Sequence, residues 1–390
     1  MSYHYVVLGA GRQGLALAYD LIRNCQAASL TLADRDEAAL ERAAARLREL
    51  LPGCACRIEP RQCDVSRPAE VALAIDSADV VISAAPYRFN EALTDAAIAA
   101  GASLCDLGGN TGVVRRQLQR RQAACRASVS IVPDCGLAPG LGNILAAHGI
   151  SRLQPPIDAH VRCGGLPERP VGPLGYKLLF NFQGLINEYS GRAEFLRDGR
   201  IVEVPTLTEL EELELPGVGR CEAAVTSGGT STCPRSFLGR VRTYDYKTIR
   251  YPGHFAVVRA MFELGCFEDQ VTLDDGRTVA PRSVIEPLME QRLALPELRD
   301  ITVMRVTVSG MRDGRPYTIR YDLLDRHDPD TGLTAMERTT AFPTALVAHM
   351  QARGMIEPGA RPLELCLPLD QYLAELAAHD IRVEVTETEQ

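Results

Sequence analysis

Apolar residues recur in two different rhythms along this 390-residue chain. In the first third, apolar runs near 5–8, 29–33, 79–83, 102–105 and 129–133 alternate with helix-competent stretches. The clearest of these, Glu37 to Leu51, is rich in Ala, Leu, Arg and Glu. A weaker strand is expected to lead into Cys63-Asp64-Val65. Alternation at this spacing predicts an α/β fold of the Rossmann kind, a doubly wound parallel sheet. From about residue 155 the rhythm changes. Asp198-Gly199, Asp275-Gly276 and Asp313-Gly314 each separate β-rich segments, the strongest short-range hairpin signal. Val303 to Val308 and Tyr317 to Leu323 should pair across the last turn, so a second α+β domain with a mixed or antiparallel sheet is expected. Helical segments are predicted at Pro343 to Gln351 and Leu369 to Ala378. There is no internal repeat.

The first apolar run ends in Gly9-Ala10-Gly11-Arg12-Gln13-Gly14, and a helix-competent stretch, Leu15 to Ile22, follows at once. That order suits a dinucleotide: Gly9 for a tight turn, Gly11 for close approach of a pyrophosphate, Gly14 for helix–strand packing. The diphosphate would rest on the free amides of the helix N-terminus, beside Arg12 and Gln13. The second run, Leu30 to Ala33, ends in Asp34, about 20 residues on, where the acid that bonds the adenosine ribose is expected. Asp34 could instead cap the helix that starts near Glu37, a task for which Asp36 is better placed. A carboxylate there repels a 2′-phosphate and favours NAD, while Arg12 and Arg35 are the cations that would favour the phosphate. Ligands on such sheets bind outside the carboxyl ends of the strands. Those ends carry Asp64-Val65, Ala84-Ala85-Pro86-Tyr87, Asp106-Leu107-Gly108-Gly109 and Pro133-Asp134-Cys135-Gly136. The expected division is a dinucleotide-binding domain at 1–137, a substrate-binding and oligomerisation domain at 138–340, and C-terminal helices at 341–390 packing back on the first domain.

A net charge of −8 argues against a nucleic-acid partner, and no apolar stretch is long enough to span a bilayer. The start Met1-Ser2-Tyr3-His4 is not a signal peptide, so a cytoplasmic protein is expected. Twelve cysteines are scattered without a C-x-x-C pair, and the seven histidines form no ligand cluster. Reduced thiols and no metal are expected.

Five stretches of the second domain combine permissive backbone with polar groups: Cys163 to Pro167, Pro173 to Lys177, Gly184 to Tyr189, Thr226 to Thr232 and Lys247 to His254. With the glycine fingerprint, Tyr87-Arg88-Phe89-Asn90, Asp106-Leu107-Gly108-Gly109-Asn110, Pro133 to Gly140 and Thr334 to Ala341, they resemble the saccharopine dehydrogenase-like enzymes. Within these, the lysine 6-dehydrogenases are most similar, over essentially the whole chain. The resemblance implies NAD-dependent oxidative deamination of the L-lysine ε-amine, giving 2-aminoadipate 6-semialdehyde, which cyclises to a piperideine carboxylate, and ammonia. It also implies a homodimer or higher homo-oligomer. Saccharopine reductases usually read Ser-Pro-Arg-Gly where this chain has Asn181-Phe182-Gln183-Gly184. Gln183 in place of that Arg argues for a smaller, less acidic amine than a glutamate adduct. Cys135 stands where some lysine dehydrogenases have Leu, so it is not expected to be indispensable.

Oxidation at the ε-carbon needs a free amine, yet lysine is protonated near neutrality, with a pKa of about 10.4. The site must take up a proton, stabilise an iminium and admit water. The candidates are His254 as base, Asp106 to hold the amine or iminium, and Tyr87 as proton relay. Arg250 is the candidate for the α-carboxylate, with Lys177 second, and Glu188 for the α-ammonium. Two alternatives remain open: saccharopine or carboxynorspermidine reduction on the same scaffold, and a non-catalytic dinucleotide sensor.

Overall fold

The computed structural model describes residues 2–180 and 182–389. Seven parallel strands form the first sheet, in the order Gly359–Ala360, Ser130–Val132, Ser103–Asp106, Val80–Ser83, Tyr3–Leu8, Ala27–Asp34 and Arg57–Gln62. Tyr3–Leu8 lies inside the sheet, and its residues Tyr5 to Leu8 are fully enclosed, as a parallel strand covered on both faces must be. Arg57–Gln62 contains Pro60 and lies at an edge, where a missing N–H is tolerated.

The second sheet has nine strands and is mixed. At its centre Gln154–Pro167 pairs parallel with Thr243–Arg250 and antiparallel with Asp300–Arg312. Asp313-Gly314 turns Asp300–Arg312 into Arg315–Arg326, both turn residues at positive φ, and Val303 pairs with Leu324 and Val308 with Ile319. Asp198-Gly199 makes the same kind of turn between Arg192–Arg197 and Arg200–Pro205. The helix Leu141–Ser151 packs on this sheet and is buried from Leu141 to Ile150.

Two expectations need correction. The proline at 343 suggested a helix start, but the helix runs from Ala335 to Ala352 with Pro343 inside it. Its start is set two turns earlier by a capping box: Thr334 Oγ1 accepts from the Glu337 amide at 3.1 Å, and Glu337 Oε2 accepts from the Thr334 amide at 2.9 Å. The C-terminal region also contributes strands. Gly359–Ala360 joins the first sheet, and Glu384–Glu389 pairs with Arg315–Arg326 at the edge of the second. The alternation Val383-Glu384-Val385 in the sequence is the signal for that strand.

The helix Ala335–Ala352 packs against Arg12–Asn24 of the first sheet's layer and against Asp300–Arg312 of the second sheet. A buried hydrogen bond, His379 Nδ1 to Asp20 Oδ2 at 2.5 Å, ties the following segment to Arg12–Asn24. All twelve cysteines are unpaired, and no helix of the described residues is long and apolar enough to cross a membrane. Because the capping box starts the helix that joins both layers, Thr334→Ala should lower unfolding stability by about 1 kcal/mol. Urea denaturation with an unchanged m-value would measure it.

Candidate active site

The glycine-rich turn is shaped by contacts only glycine allows. Gly9 has φ +114°, and a side chain on Gly14 would overlap the Gly9 carbonyl. Nothing lies within 4 Å of where a Gly11 side chain would be, so the backbone there faces open space. Gly11 supplies no side-chain cap to Arg12–Asn24, leaving the helix amides for an anion. Asp34 closes this cradle: its Oδ2 accepts from the Ala10 amide at 2.7 Å and its Oδ1 from the Asp36 amide at 3.0 Å. The helix cap is Asp36, which accepts from Ala39 at 3.1 Å. Asp34 is therefore held at the tip of its strand and is free of the capping task.

The neighbouring strand ends complete the rim. Asp64 accepts from the amide and hydroxyl of Ser66, and Ser66 holds its carboxyl below the usual range. Val65 packs with the Val6 and Leu8 side of the sheet. Ala84 follows Val80–Ser83 and touches Gly9, with Ala85 and Pro86 leading to Tyr87. Arg12 turns away from the Asp34 end: its Nε meets Glu337 at 2.5 Å, and its Nη2 reaches Thr334. Gln13 donates to the Met336 carbonyl at 3.3 Å, and its Oε1 is buried without a partner among the described residues. These residues fit an extended dinucleotide, with Arg12 and Gln13 linking the cradle to the second domain.

Asp106 is placed differently from the expectation. It is fully enclosed, and its oxygens accept from the Gly108 amide at 2.8 Å, the Asp134 amide at 3.1 Å and Gln117 at 2.8 Å. Burial raises its pKa against the pull of those donors. As arranged, it orders two strand-end loops and does not face an open cleft. Tyr87 is half-buried and packs on Gly109; its carbonyl accepts from the Asn90 amide, and among the described residues its hydroxyl has no hydrogen-bond partner.

The second-domain candidates separate into two groups. Arg250, Glu188 and His254 come together. Arg250 is 2% exposed; its Nε donates to Tyr189 Oη at 2.9 Å, and its Nη2 lies 3.8 Å from Glu188. Its guanidinium sits 4.9 Å from the Tyr176 ring centre and 5.8 Å from that of Tyr189. Tyr189 Oη is 2.9 Å from His254 Nε2, and His254 Nδ1 is 2.9 Å from the Leu174 carbonyl. This order requires Nδ1–H to donate to Leu174 and Nε2 to accept from Tyr189. Burial, then the Arg250 charge, lowers the His254 pKa to about 3, so this ring is neutral. With both nitrogens engaged, His254 orients Tyr189 and is not built to take a substrate proton. Glu188 is the titrating member: burial raises it to about 7, with Arg250 opposing.

Lys177 belongs to the other group. Its ammonium contacts the Leu298 carbonyl, and burial lowers its pKa while Asp300 opposes. It lies toward Asp300, Glu337 and Arg12, not beside Arg250. Gln183 is exposed on Phe182–Tyr189, the helix that carries Glu188 and Tyr189; Asn181 lies outside the described residues. Tyr176 and Tyr189, which frame Arg250, lay within stretches flagged by sequence but had no role there. Asp134, Ser231 and Glu337 were also unassigned, because their partners are distant in sequence. One group of three possible metal ligands, Asp20, Cys25 and His379, is buried beside the C-terminal segment, away from the cleft.

Gly14→Ala should abolish dinucleotide binding, since the added methyl overlaps the Gly9 carbonyl and distorts the turn. NADH fluorescence that changes on mixing with the wild type but not with the variant, together with an unchanged circular dichroism spectrum, would confirm it.

Comparisons with known proteins agree with this geometry. Residues 5–132 match the saccharopine dehydrogenase NADP binding domain, and residues 136–381 the saccharopine dehydrogenase C-terminal domain. The chain is 28% identical over 147 residues to saccharopine dehydrogenase [NADP(+), L-glutamate-forming] of Schizosaccharomyces pombe, covering 36% of this chain and 32% of that protein. It is 28% identical over 224 residues to the enzyme of the same name from Pyricularia oryzae, covering 54% and 48%. The chain thus spans half or less of the length of these relatives. The fold matches apo saccharopine dehydrogenase (L-Glu forming) from Saccharomyces cerevisiae with a TM-score of 0.77 at 18% identity, covering 99% of this chain and 100% of that one. With both its domains matched, the chain belongs to the saccharopine dehydrogenase family.

Proposed function

We propose that this chain is a dinucleotide-dependent oxidoreductase of amino-acid amines, and that it oxidises the ε-carbon of L-lysine with NAD. The observation that carries the substrate class is the side-by-side placement of Arg250 and Glu188, 3.8 Å apart. A buried guanidinium beside a half-buried carboxyl is the complement of an α-carboxylate and α-ammonium. Gln183 on the same helix as Glu188 supports a substrate without a further acidic arm. Asp34, fixed at the ribose end of the cradle, supports NAD. The relatives carry NADP(+) in their names, and Arg35, exposed next to Asp34, would favour that alternative.

When bound, the dinucleotide supplies the hydride acceptor. Arg250 holds the α-carboxylate, and its stacking on Tyr176 and Tyr189 fixes the plane of the fork. Tyr189, locked by His254, engages Arg250 Nε, and Nη1 donates to the Ile249 carbonyl at 2.9 Å, so Nη2, beside Glu188, is the nitrogen left for the substrate. Glu188 pairs with the α-ammonium once ionised. Tyr87, next to Gly109 and with its hydroxyl unengaged among the described residues, relays the proton lost from the ε-amine.

Lysine, ornithine, diamines and saccharopine should be screened with NAD and NADP, following reduced cofactor. Lysine with NAD is expected to lead, and its product should condense with o-aminobenzaldehyde. Turnover of saccharopine alone would overturn the substrate reading. Arg250→Lys should raise the Michaelis constant for lysine by about 10- to 100-fold, the worth of a charge-assisted pair, with NADH binding intact. Glu188 must be ionised to hold the ammonium, so that constant should rise as pH falls through about 7. Glu188→Gln should remove that dependence, whereas His254→Gln should leave it in place.

A further inference from the structure

Asp134 follows the strand Ser130–Val132, is 3% exposed, and has φ +60°. Its Oδ2 contacts the hydroxyl of Ser231 in the second domain, itself buried and at φ +48°. Two non-glycine residues thus hold left-handed backbone on opposite sides of one contact, a cost sustained only where the surroundings enforce it. Among the described residues Asp134 Oδ1 has no close hydrogen-bond partner, the Gly109 amide being the backbone donor that acts on the carboxyl, and it lies against Gly108, where a side chain would overlap it. The space shared by Asp134, Ser231, Thr232, Asn143 and Glu364 leaves no room for water.

The electrostatics of this junction are one-sided. Asp106 faces Asp134 from the end of Ser103–Asp106, and Glu364 faces it from the C-terminal segment. Thr232 donates to Glu364 at 2.7 Å. Among the described residues no Lys, Arg or His forms an ion pair with Asp106, Asp134 or Glu364, although all three are buried. A carboxylate with one unpaired oxygen and two acidic neighbours is far costlier in such a place than the acid.

We propose that Asp134 is a positioning residue that works as the neutral acid. The Ser231 hydroxyl donates to its Oδ2, and this contact clamps together the strand-end turn 133–136, the Gly108–Gly109 loop and the Gly228–Thr232 loop. Loss of the acid's proton puts a charge beside Asp106 and Glu364, and that repulsion opens the clamp and loosens these strand-end loops of the cleft. The inference does not depend on which amine is oxidised. Burial first, then Asp106 and Glu364, raise the Asp134 pKa to about 7, while the Ser231 hydroxyl and the Gly109 amide oppose. The folded state therefore carries an extra proton above the ordinary carboxyl range. The stability this proton contributes is full below that range and is lost as pH rises to about 7.

The test compares the whole protein with Asp134→Asn, Asp134→Ala and Ser231→Ala. Thermal unfolding and the affinities for NADH and NADPH are measured from pH 5 to 9. Reading both cofactors separates a failure of the clamp from an error in cofactor preference. In the wild type, the unfolding temperature should fall from pH 5 to pH 7. Binding of whichever cofactor is preferred should weaken above pH 7, by at most about tenfold per pH unit. Asp134→Asn, a permanent neutral isostere, should flatten both profiles in part, Asp106 and Glu364 contributing the remainder. Asp134→Ala and Ser231→Ala should weaken binding at every pH without that dependence. Equal pH profiles for wild type and Asp134→Asn would overturn the proposal. If the variants do not fold, hydrogen exchange of segment 226–232 in the wild type decides. Corrected for intrinsic rates, its protection should drop between pH 6 and pH 9, and constant protection would overturn the proposal.

Discussion

The relative placement of the two sheets rests on the N-terminus of one helix, Ala335–Ala352. Asp300, the first residue of a central strand of the second sheet, accepts from the Ala335 and Met336 amides at 3.0 Å each. A buried carboxylate on free helix amides is a strong contact, each bond to a charged group being worth about 1.5–3 kcal/mol. One residue on, Glu337 grips Arg12 at the start of the dinucleotide-binding helix. A single turn of helix therefore fixes the second sheet to the glycine-rich cradle, and Gln13 adds a third tie through the Met336 carbonyl. Lys177 is drawn into this joint, which explains why it is spent on the scaffold.

Around Arg250 the protein solves a different problem. A guanidinium that is nearly fully buried must be kept charged, and burial alone would oppose that. Tyr176, Tyr189 and Glu188 more than offset the burial, so its pKa is raised. The same charge helps to keep His254 neutral. A neutral imidazole can donate from one nitrogen and accept at the other, which is what the chain Leu174–His254–Tyr189–Arg250 requires. The histidine is thus part of the mount for the arginine.

Local features of the chain were legible because their causes are local. The parallel strands, the Asp-Gly hairpins, the glycine fingerprint and Asp36 as a cap each depend on neighbours within a few residues. Pro343 misled because a capping box outweighs a proline when the helix is held by packing on both sides. The roles of Asp106 and His254 were not legible for the opposite reason. Both occupy the loops the sequence flagged, but only tertiary partners show their hydrogen-bonding capacity to be used up: Gln117 and the Asp134 amide for one, Tyr189 and Leu174 for the other. Ser231 and Asp134 meet across 97 positions, so no spacing rule could pair them.

The last strand, Glu384–Glu389, is exposed along its whole length and covers the edge of Arg315–Arg326. It is fastened by surface charge: Arg312 and Arg152 to Glu387, and Arg315 to Glu389. Contacts of that kind weaken as ionic strength rises. Were the strand to lift, the edge amides and carbonyls of Tyr317 to Asp322 would be bared, a template for edge-to-edge association between chains. For most acidic proteins salt screens mutual repulsion and little else. Here it also acts on a shield, so colloidal behaviour in concentrated salt is governed by six residues at the end of the second sheet.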